Sequence, residues 1–549
     1  MSTAIHYTAI NLLKKSKSEV FGVHVAIADL LKAYFRYSSA DKIRLLIGSA
    51  DEWKEAQELA SHVGLDLARI EALDRRFPEH NFNQISTVFR AEPDTRNLLW
   101  QRNAFGNFNF CGLAHAISGV EAGQVLQEYC LSPSRETDAI ICPSTAVSRA
   151  IRAFWDGYEA HLKEHFKADY KCPVQLPVIP LGVDLDKFSA RVSGDKRAAQ
   201  RTALGVAEEE IVILWVGRLS AAIKAHPLAM FRAAEIAAEK TGARVRLVMQ
   251  GYFVPAEAGE QFEKLASDVC KKARVSFIAA DDRRFPDGLW AAGDIFLSLV
   301  DNVQESFGLT PIEAMAAGLP RVISDWDGYR DSVTDGEDGF LIKTFMPPSG
   351  CGHDLTAQVL SEKEMYGGFL AKVALTTIVD AEQAGDRLSQ LISNKELRQS
   401  MADKARARAY SCYSWAKIIP AYEALWADMA SRAASQTKAN RYTAQMPLLP
   451  DPYSMYSSYP TSVLGVSDRI SIAADADRIK NLWSNPLNTY ATDVMAAPSD
   501  IADMLAFIEK NGSPVVSDLF KALPNTDVSR LWRTIGWLLK LGILRASGC

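Results

Sequence analysis

The sequence predicts an α/β fold with two Rossmann-like, doubly wound domains, followed by a small, mainly helical, winged-helix-like domain. Two blocks of the chain alternate short apolar runs with longer amphipathic stretches, a pattern typical of parallel sheets covered by helices. A segment rich in proline and glycine separates the two blocks. The 549 residues are too many for a single hydrophobic core, so several domains are expected.

The first domain is predicted over residues 1–190. Apolar runs predict strands at 43–48, 86–90 and 139–144, and helical spacing predicts helices at 18–35 and 144–166. Residues 178–188, VIPLGVDLDKF, contain proline and glycine and lead into a charged stretch that ends near residue 203. We interpret this segment as the linker between the two blocks.

The second domain is predicted over residues 204–410. Helices are expected at 226–240 and 255–273, and residues 344–375 form a longer connection than usual, which we interpret as an insertion. The predicted strands are 211–217, 244–251, 275–280, 295–300 and 321–326.

Three further segments are predicted after the second domain. Residues 411–432 have the spacing of an amphipathic aromatic helix, and residues 433–465, rich in proline, serine and tyrosine, are predicted to be a linker. Residues 466–549 contain three helical patterns and predict the separate helical domain.

Composition and charge restrict the class of function. Hydrophobic residues make up 48% of the chain, and the formal net charge of -5 gives no basic field for nucleic acid. No apolar stretch is long enough to span a bilayer, and the N-terminus lacks the pattern of a signal peptide. The eight cysteines show no CxxC spacing, so a reduced, cytoplasmic protein is expected.

Residues 305–313, ESFGLTPIE, follow a predicted strand after a short turn. Ligands of parallel sheets bind at the carboxyl ends of the strands, and a helix N-terminus there suits a phosphate. Thr310 is predicted as the N-cap, Pro311 as the first helical residue and Glu313 as the partner in a capping box. Gly308 allows close approach of a ligand to the backbone. Alternatively, Glu313 only caps the helix and the preceding residues form a plain turn.

Two cations follow another predicted strand of the same domain. Arg218 and Lys224, in GRLSAAIKAHP, come after residues 211–217 and would suit a pyrophosphate. In a loop, such residues are usually only solvated. The DxD patterns at 184–186 and 325–327 are interpreted as turn and cap residues. We therefore expect no metal and no cofactor.

Together these motifs resemble those of retaining glycosyltransferases of family 4 (group 1), which have the GT-B fold. ESFGLTPIE resembles the E-x7-E motif of the family, and GRLSAAIKAHP its Arg and Lys motif for the donor phosphates. VIPLGVDLDKF resembles the interdomain segment, and SWAKIIPAYEALW the crossover helix that packs on the first domain. The resemblance extends over roughly residues 1–430.

The resemblance implies a role for each motif residue. Glu305 would contact the hydroxyls of the donor sugar, and Glu313 would accept hydrogen bonds from the ribose. Arg218 and Lys224 would neutralise the leaving nucleoside diphosphate. The backbone of the motif would bind the diphosphate through Ser306, Phe307, Gly308 and Leu309.

Two candidates lie in the first domain. In FNFCGLAHAISG, His115 resembles the histidine that the family places near the donor sugar, although a lone histidine in apolar surroundings is often a satisfied core residue. Ala114 and Ala116 depart from the threonines that are frequent beside it. Gly22 resembles the glycine loop on the acceptor side, and a plain turn glycine is the alternative.

The resemblance implies a metal-independent transferase that moves a sugar, with retention, from a nucleotide-sugar donor to a glycan, lipid-linked or other hydroxyl acceptor. Polysaccharide biosynthesis is the usual setting, in the cytoplasm or in peripheral contact with the inner membrane face. A GT-B nucleotide-sugar epimerase, which needs no acceptor, and a non-catalytic nucleotide-sugar-binding regulator are the alternatives.

The C-terminal domain has balanced charge. Residues 466–549 contain nine Lys or Arg and nine Asp or Glu. This balance lacks the basic footprint of a DNA-binding module. We expect either an interaction module, with a protein as its partner, or a structural module.

Overall fold

The computed structural model describes residues 3–8, 22–192, 194–435 and 449–547. The chain forms two compact units, Met1–Tyr442 and Thr443–Cys549. The loop predicted ahead of Gly22 and residues 436–448 of the predicted linker lie outside the described residues. No described helix is long and apolar enough to cross a membrane.

The first sheet has six parallel strands in the order β3-β2-β1-β4-β5-β6. Its strands are β1 (Thr3–His6), β2 (Ile43–Ile47), β3 (Ile70–Asp74), β4 (Thr87–Phe89), β5 (Asn109–Leu113) and β6 (Ala139–Ile141). Its helices are α1 (Gly22–Tyr37), α2 (Ala50–His62), α3 (Pro78–Asn81), α4 (Leu98–Phe105), α5 (Val120–Leu131) and α6 (Thr145–Phe166), with 3-10 turns at Leu67–Arg69 and Phe82–Gln84. Strands β4, β5 and β6 are buried because helices cover both faces of this half of the sheet.

The second sheet also has six parallel strands, in the order β12-β11-β10-β7-β8-β9. Its strands are β7 (Ile211–Val216), β8 (Val245–Gly251), β9 (Arg274–Ala279), β10 (Ile295–Ser298), β11 (Arg321–Ser324) and β12 (Gly339–Ile342). Its helices are α7 (Leu185–Val192), α8 (Lys196–Leu204), α9 (Leu228–Thr241), α10 (Ala258–Val269), α11 (Leu309–Ala317) and α12 (Tyr329–Ser332). Two such sheets confirm the predicted Rossmann-like, GT-B fold class. Helices α7 and α8 occupy the segment interpreted as a linker, and α7 buries Leu185 and Phe188.

The predicted insertion is an ordered helical element. A two-stranded antiparallel ribbon closes its base and two helices form its body. Its elements are β13 (Thr344–Phe345), α13 (His353–Leu360), α14 (Tyr366–Leu375) and β14 (Ile378–Val379).

The end of the first unit returns to the first sheet. Helices α15 (Ala381–Ser393) and α16 (Lys395–Arg408) lead through a π-turn (Ala409–Tyr413) into α17 (Trp415–Ser435). The ring centroids of Tyr34 and Trp426 lie 5.6 Å apart, and those of Phe89 and Tyr422 lie 5.7 Å apart. Helix α17 therefore packs against α1 and β4 of the first domain.

The second unit has its own apolar core, formed by side chains such as Met504, Leu519, Leu531, Ile535 and Leu538. Strands β15 and β16 pair antiparallel. The elements are α18 (Pro452–Met455), β15 (Ile470–Ile472), α19 (Ala476–Trp483), α20 (Pro486–Thr489), a 3-10 turn (Thr492–Val494), α21 (Pro498–Asn511), α22 (Val516–Ala522), α23 (Val528–Lys540) and β16 (Leu544–Ala546). Helices α21, α22 and α23 correspond to the three helical patterns of the sequence. The winged-helix likeness and the protein partner stay predictions.

Candidate active site

Three neighbouring strands of the second sheet end in polar loops. Strand β10 pairs with β7 on one side and with β11 on the other, all parallel. Lys224 lies beyond the end of β7, Glu305 beyond β10 and Asp327 beyond β11. Because parallel strands have their carboxyl ends at one edge, these three loops converge there.

Lys224 and Glu305 form an ion pair that joins the two sequence motifs. The Lys224 Nζ contacts Glu305 Oε2, and the two side chains are 15% and 17% exposed. Burial by itself would lower the pKa of Lys224, but the charge of Glu305, assisted by Tyr329 and Asp327, raises it above the usual value. A permanent cation is therefore held at the edge of the sheet.

Two residues that the sequence analysis missed fix the loop carrying Lys224. The His226 backbone N–H donates to both Asp301 carboxyl oxygens, at 3.3 and 3.2 Å. The Asn302 Nδ2 donates to the Ala222 carbonyl at 2.7 Å. Both residues are buried, and burial raises the pKa of Asp301 to about 7. The sequence signal that could have revealed them is the presence of two polar residues, Asp301 and Asn302, directly after the apolar run 295–300.

The sequence also did not predict that Asp327 lies beside Lys224 and Glu305. The Asp327 backbone has φ 39°, in the left-handed region, and its Oδ1 accepts the Tyr329 N–H at 3.0 Å, as a turn residue does. Its Oδ2, however, is buried and has no hydrogen-bond partner among the described residues. Burial, followed by the charge of Glu305, raises the pKa of Asp327 well above its usual value. A second carboxyl group therefore lies beside the Lys224–Glu305 pair.

The N-terminus of α11 differs from the prediction. Gly308, at φ 80°, is the N-cap and the helix begins at Leu309, so the predicted capping box of Thr310 and Glu313 is wrong. A Cβ at Gly308 would lie 2.0 Å from the Cε1 of Tyr329, and only glycine fits this backbone. The first turn still presents unpaired N–H groups and the positive end of the helix dipole.

Glu313 lies in the second turn of α11 and is partly buried. Burial raises its pKa to about 7, and the cations Arg191 and Lys187 offset part of that rise. Its carboxyl group is thus free of the capping role that the sequence analysis assigned to it.

The remaining predicted site residues lie on both sheets. The His115 Nε2 lies 2.7 Å from the Ala91 carbonyl, so this nitrogen carries the proton and Nδ1 is left as an acceptor. Burial lowers the pKa of His115, which keeps the ring neutral. Arg218 lies two residues beyond β7 and is partly buried, and Gly22 is the first residue of α1.

The first domain touches the E-x7-E loop directly. The Ser144 hydroxyl donates to the Ser306 carbonyl at 2.7 Å, and the Thr145 N–H donates to Asp331 Oδ2 at 2.6 Å. Ser144 and Thr145 begin α6, whose N-terminus is at the carboxyl end of β6. The carboxyl edges of the two sheets therefore face each other across this contact.

A cavity of about 280 Å³ lies elsewhere, between α1, residues 183–187 and the turn before α17. Neither Lys224 nor Glu305 lines it. Asp184 accepts the Lys187 N–H at 3.2 Å, which is the cap interaction expected for this DxD pattern. In the described part of the chain, no group of three or more His, Cys, Asp or Glu side chains could hold a metal ion.

Residues 196–348 match the sequence profile of the family described as glycosyl transferases group 1. The second sheet domain is therefore similar, over these residues, to group 1 glycosyl transferases. The matched residues include Arg218, Lys224 and the whole E-x7-E loop. They end before α13, the first helix of the insertion.

The chain is also similar to curated relatives and to solved structures. It is 36% identical over 186 residues to a D-inositol 3-phosphate glycosyltransferase of Geodermatophilus obscurus, covering 33% of this chain and 39% of the relative. With the Streptomyces scabiei protein of that name it is 29% identical over 262 residues, covering 46% of this chain and 54% of the relative. The chain thus spans about half or less of these relatives. Among solved structures, the chain is similar to Anabaena HepE in complex with UDP, with 16% sequence identity and a TM-score of 0.49. The superposition covers 78% of this chain and all of that chain.

Proposed function

We propose that the protein is a retaining glycosyltransferase that moves a sugar from a nucleotide-sugar donor to a hydroxyl acceptor. The observation that carries this proposal is the partly buried Lys224–Glu305 pair beside the N-terminus of α11. It places a cation, a carboxylate and unpaired backbone N–H groups at one sheet edge. These groups match a sugar diphosphate, because the carboxylate can accept hydrogen bonds from the sugar hydroxyls, and the cation and the N–H groups can bind the negatively charged diphosphate.

The donor binds to the second domain. Lys224, Arg218 and the N-terminus of α11 stabilise the negative charge that develops on the leaving diphosphate. Glu305 accepts hydrogen bonds from the sugar hydroxyls, and Glu313 accepts them from the ribose. No metal is needed in this scheme, because the two cations and the helix dipole supply the positive charge.

The first domain supplies the acceptor side. His115 is neutral and its Nδ1 is an acceptor, so it can accept a hydrogen bond from a sugar hydroxyl without adding charge. With no nucleophilic side chain assigned, the acceptor hydroxyl attacks from the face that the diphosphate leaves, and the diphosphate takes the hydroxyl proton. This route retains the anomeric configuration. The acceptor is a glycan, a lipid-linked glycan or another hydroxyl compound, and inositol phosphate is one to test because relatives are named for it.

The first test is a screen of nucleotide sugars by calorimetry, together with donor turnover in the presence and absence of hydroxyl acceptors. Glu305→Gln keeps the size of the side chain and removes its charge. We expect this variant to bind UDP or the matching nucleoside diphosphate within a few-fold of wild type, and to lose about 100-fold or more in transfer.

Glu382→Gln is the matched control. Glu382 pairs with Arg232 at 2.7 Å on the same domain and is 63% exposed, so its loss should leave transfer unchanged. A wild-type protein that binds none of the nucleotide sugars would refute the proposed function. Donor turnover at full rate without any acceptor would instead indicate an epimerase.

A further inference from the structure

The helical insertion reaches from the second domain to the first. Its helix α14 begins at Tyr366, and the Tyr366 hydroxyl lies 2.7 Å from the Ser118 Oγ of the first domain. The Gln304 Nε2 donates to the same hydroxyl at 3.5 Å. One phenol group is thus shared between a residue of each sheet domain.

The ring of Tyr366 makes a second contact with the first domain. A Cβ added at Gly119 would lie 3.5 Å from the ring Cε2, so the ring packs over the backbone where α5 begins. Tyr366 is half-buried, whereas Met365 beside it is 80% exposed. The tyrosine therefore points toward the first domain and its neighbour points toward solvent.

The insertion is braced well enough to hold that tyrosine in place. Leu370 and Ala374, on one face of α14, are buried. The Lys372 Nζ joins α14 to α13, at 2.6 Å from Glu364 Oε2 and 2.8 Å from Gln358 Oε1. Side chains fixed in this way lose little further entropy when they position a neighbour.

Both partners of Tyr366 adjoin candidate catalytic residues. Ser118 lies three residues after His115, and Gln304 directly precedes Glu305. We infer that Tyr366 is a positioning residue that holds the His115 segment against the Glu305 loop, so that both groups face one donor sugar. This inference rests on the proposed function for its catalytic consequence, although the contact itself does not.

Tyr366→Phe tests the inference, because it removes the shared hydroxyl and keeps the ring. Loss of one hydrogen bond that orders two reacting groups should lower the turnover number roughly three- to tenfold, with the KM for the donor within about twofold. Amide exchange at residues 115–124, measured by mass spectrometry on the full chain, should rise. Ser118→Ala should give the same changes, and the double variant should add nothing to either.

Tyr410→Phe is the matched control. The Tyr410 hydroxyl also lies 2.7 Å from a serine Oγ, that of Ser189, but outside the candidate site. Wild-type exchange at residues 115–124 in Tyr366→Phe would overturn the contact, whether or not the protein proves to be a transferase. If the wild type is active and Tyr366→Phe shows raised exchange but the same turnover number as wild type, the positioning role would be overturned. Wild-type protein without transfer would refute the proposed function and leave the exchange result to judge the contact alone.

Discussion

Each sheet domain contains an ion pair, fully buried in the first domain and partly buried in the second, and the pairs differ in how completely the carboxylate is hydrogen-bonded. In the first domain, Arg102 and Asp138 are both 0% exposed, with Nη1 and Oδ1 2.7 Å apart. Each Asp138 oxygen accepts a second bond, from the Phe110 N–H and the Arg135 N–H, both at 2.8 Å. In the second domain, Lys224 meets Glu305 through one oxygen, and both remain partly exposed.

This difference separates a structural pair from a ligand-binding pair. The Asp138 carboxylate has all its lone pairs used and so offers no acceptor to a ligand, although the Arg102 Nε is buried without a partner among the described residues. The role of this closed pair is to bind α4 to the start of β6. The Lys224–Glu305 pair keeps donor and acceptor capacity and has the unpartnered Oδ2 of Asp327 beside it. Substitutions in the first pair should therefore reduce stability, and substitutions in the second should reduce activity.

Asp138→Ala should show the largest effect. It leaves the Arg102 guanidinium buried without its counter-charge, and we expect the free energy of unfolding of the first domain to fall by about 3–5 kcal/mol. Equilibrium urea unfolding followed by tryptophan fluorescence measures this change, since Trp155 is fully buried in that domain.

Asp156→Ala is the control for that measurement. Asp156 is 65% exposed and pairs with Arg152 at 2.9 Å on α6, so its loss should cost about 1 kcal/mol or less. Equal losses for Asp138→Ala and Asp156→Ala would contradict the structural role given to the closed pair.

Lys224→Ala should show the opposite balance. Removing a charge-assisted contact to the leaving diphosphate should lower turnover by about 100-fold or more, on the scale of losing one oxyanion donor. Stability should fall far less than in Asp138→Ala, because water in the cleft can hydrate the Glu305 carboxylate. Arg218→Ala is expected to lose turnover on the same scale.

Lys240→Ala serves as its control. Lys240 contacts Asp386 on the surface of the same domain, and both side chains are more than half exposed. Steady-state transfer assays on the two lysine variants compare them directly. Near-normal transfer by Lys224→Ala would remove this residue from the site.

The strands and helices with strong periodicity could be predicted from the sequence, and the weakly patterned ones could not. Strand β2 is a run of apolar residues and was predicted almost to its ends, whereas β3, IEALD, has charged residues at the sheet edge and was missed. The helices α7 and α8 were hidden by prolines and charges, because α7 depends on burying Leu185 and Phe188 and α8 buries the polar residues Gln200 and Arg201. Long-range packing, which no local window contains, decides such segments.

The site could be predicted to the level of its loops. Lys224 and Glu305 were each placed at a strand end, but their contact depends on β7 lying next to β10, and strand order is not written in local sequence. The capping box failed because Gly308 can adopt φ 80° and begins the helix earlier than Thr310 would. Asp327 was interpreted as a turn residue, which its backbone is, while its burial follows from the neighbouring loops.

The smallest expected effect concerns pH and Glu313. Burial raises the pKa of this carboxyl group to about 7. If the ionised carboxylate is the form that accepts the ribose hydroxyls, UDP affinity should rise with pH between 6 and 8, by up to about tenfold. Glu313→Gln should remove the part of this rise that comes from Glu313, and the slope that remains in the variant reports the titration of UDP itself.

Stability should respond to pH with the opposite sign. Because the folded pKa lies above the unfolded one, the folded state binds more protons between pH 4.5 and about 7, so Glu313 makes the free energy of unfolding fall as pH rises through that range. Full stability from this group is present below the unfolded pKa.

Calorimetric UDP titrations and urea midpoints at pH 6, 7 and 8, on wild type and Glu313→Gln, separate the two trends. A wild-type protein whose UDP affinity and stability both follow the Gln variant across this range would show that the Glu313 carboxyl does not titrate there. If UDP affinity rises with pH while stability falls, and only in wild type, the Glu313 carboxyl is a group whose unfavourable burial is retained for binding. That property distinguishes this cleft from the closed pair of the first domain.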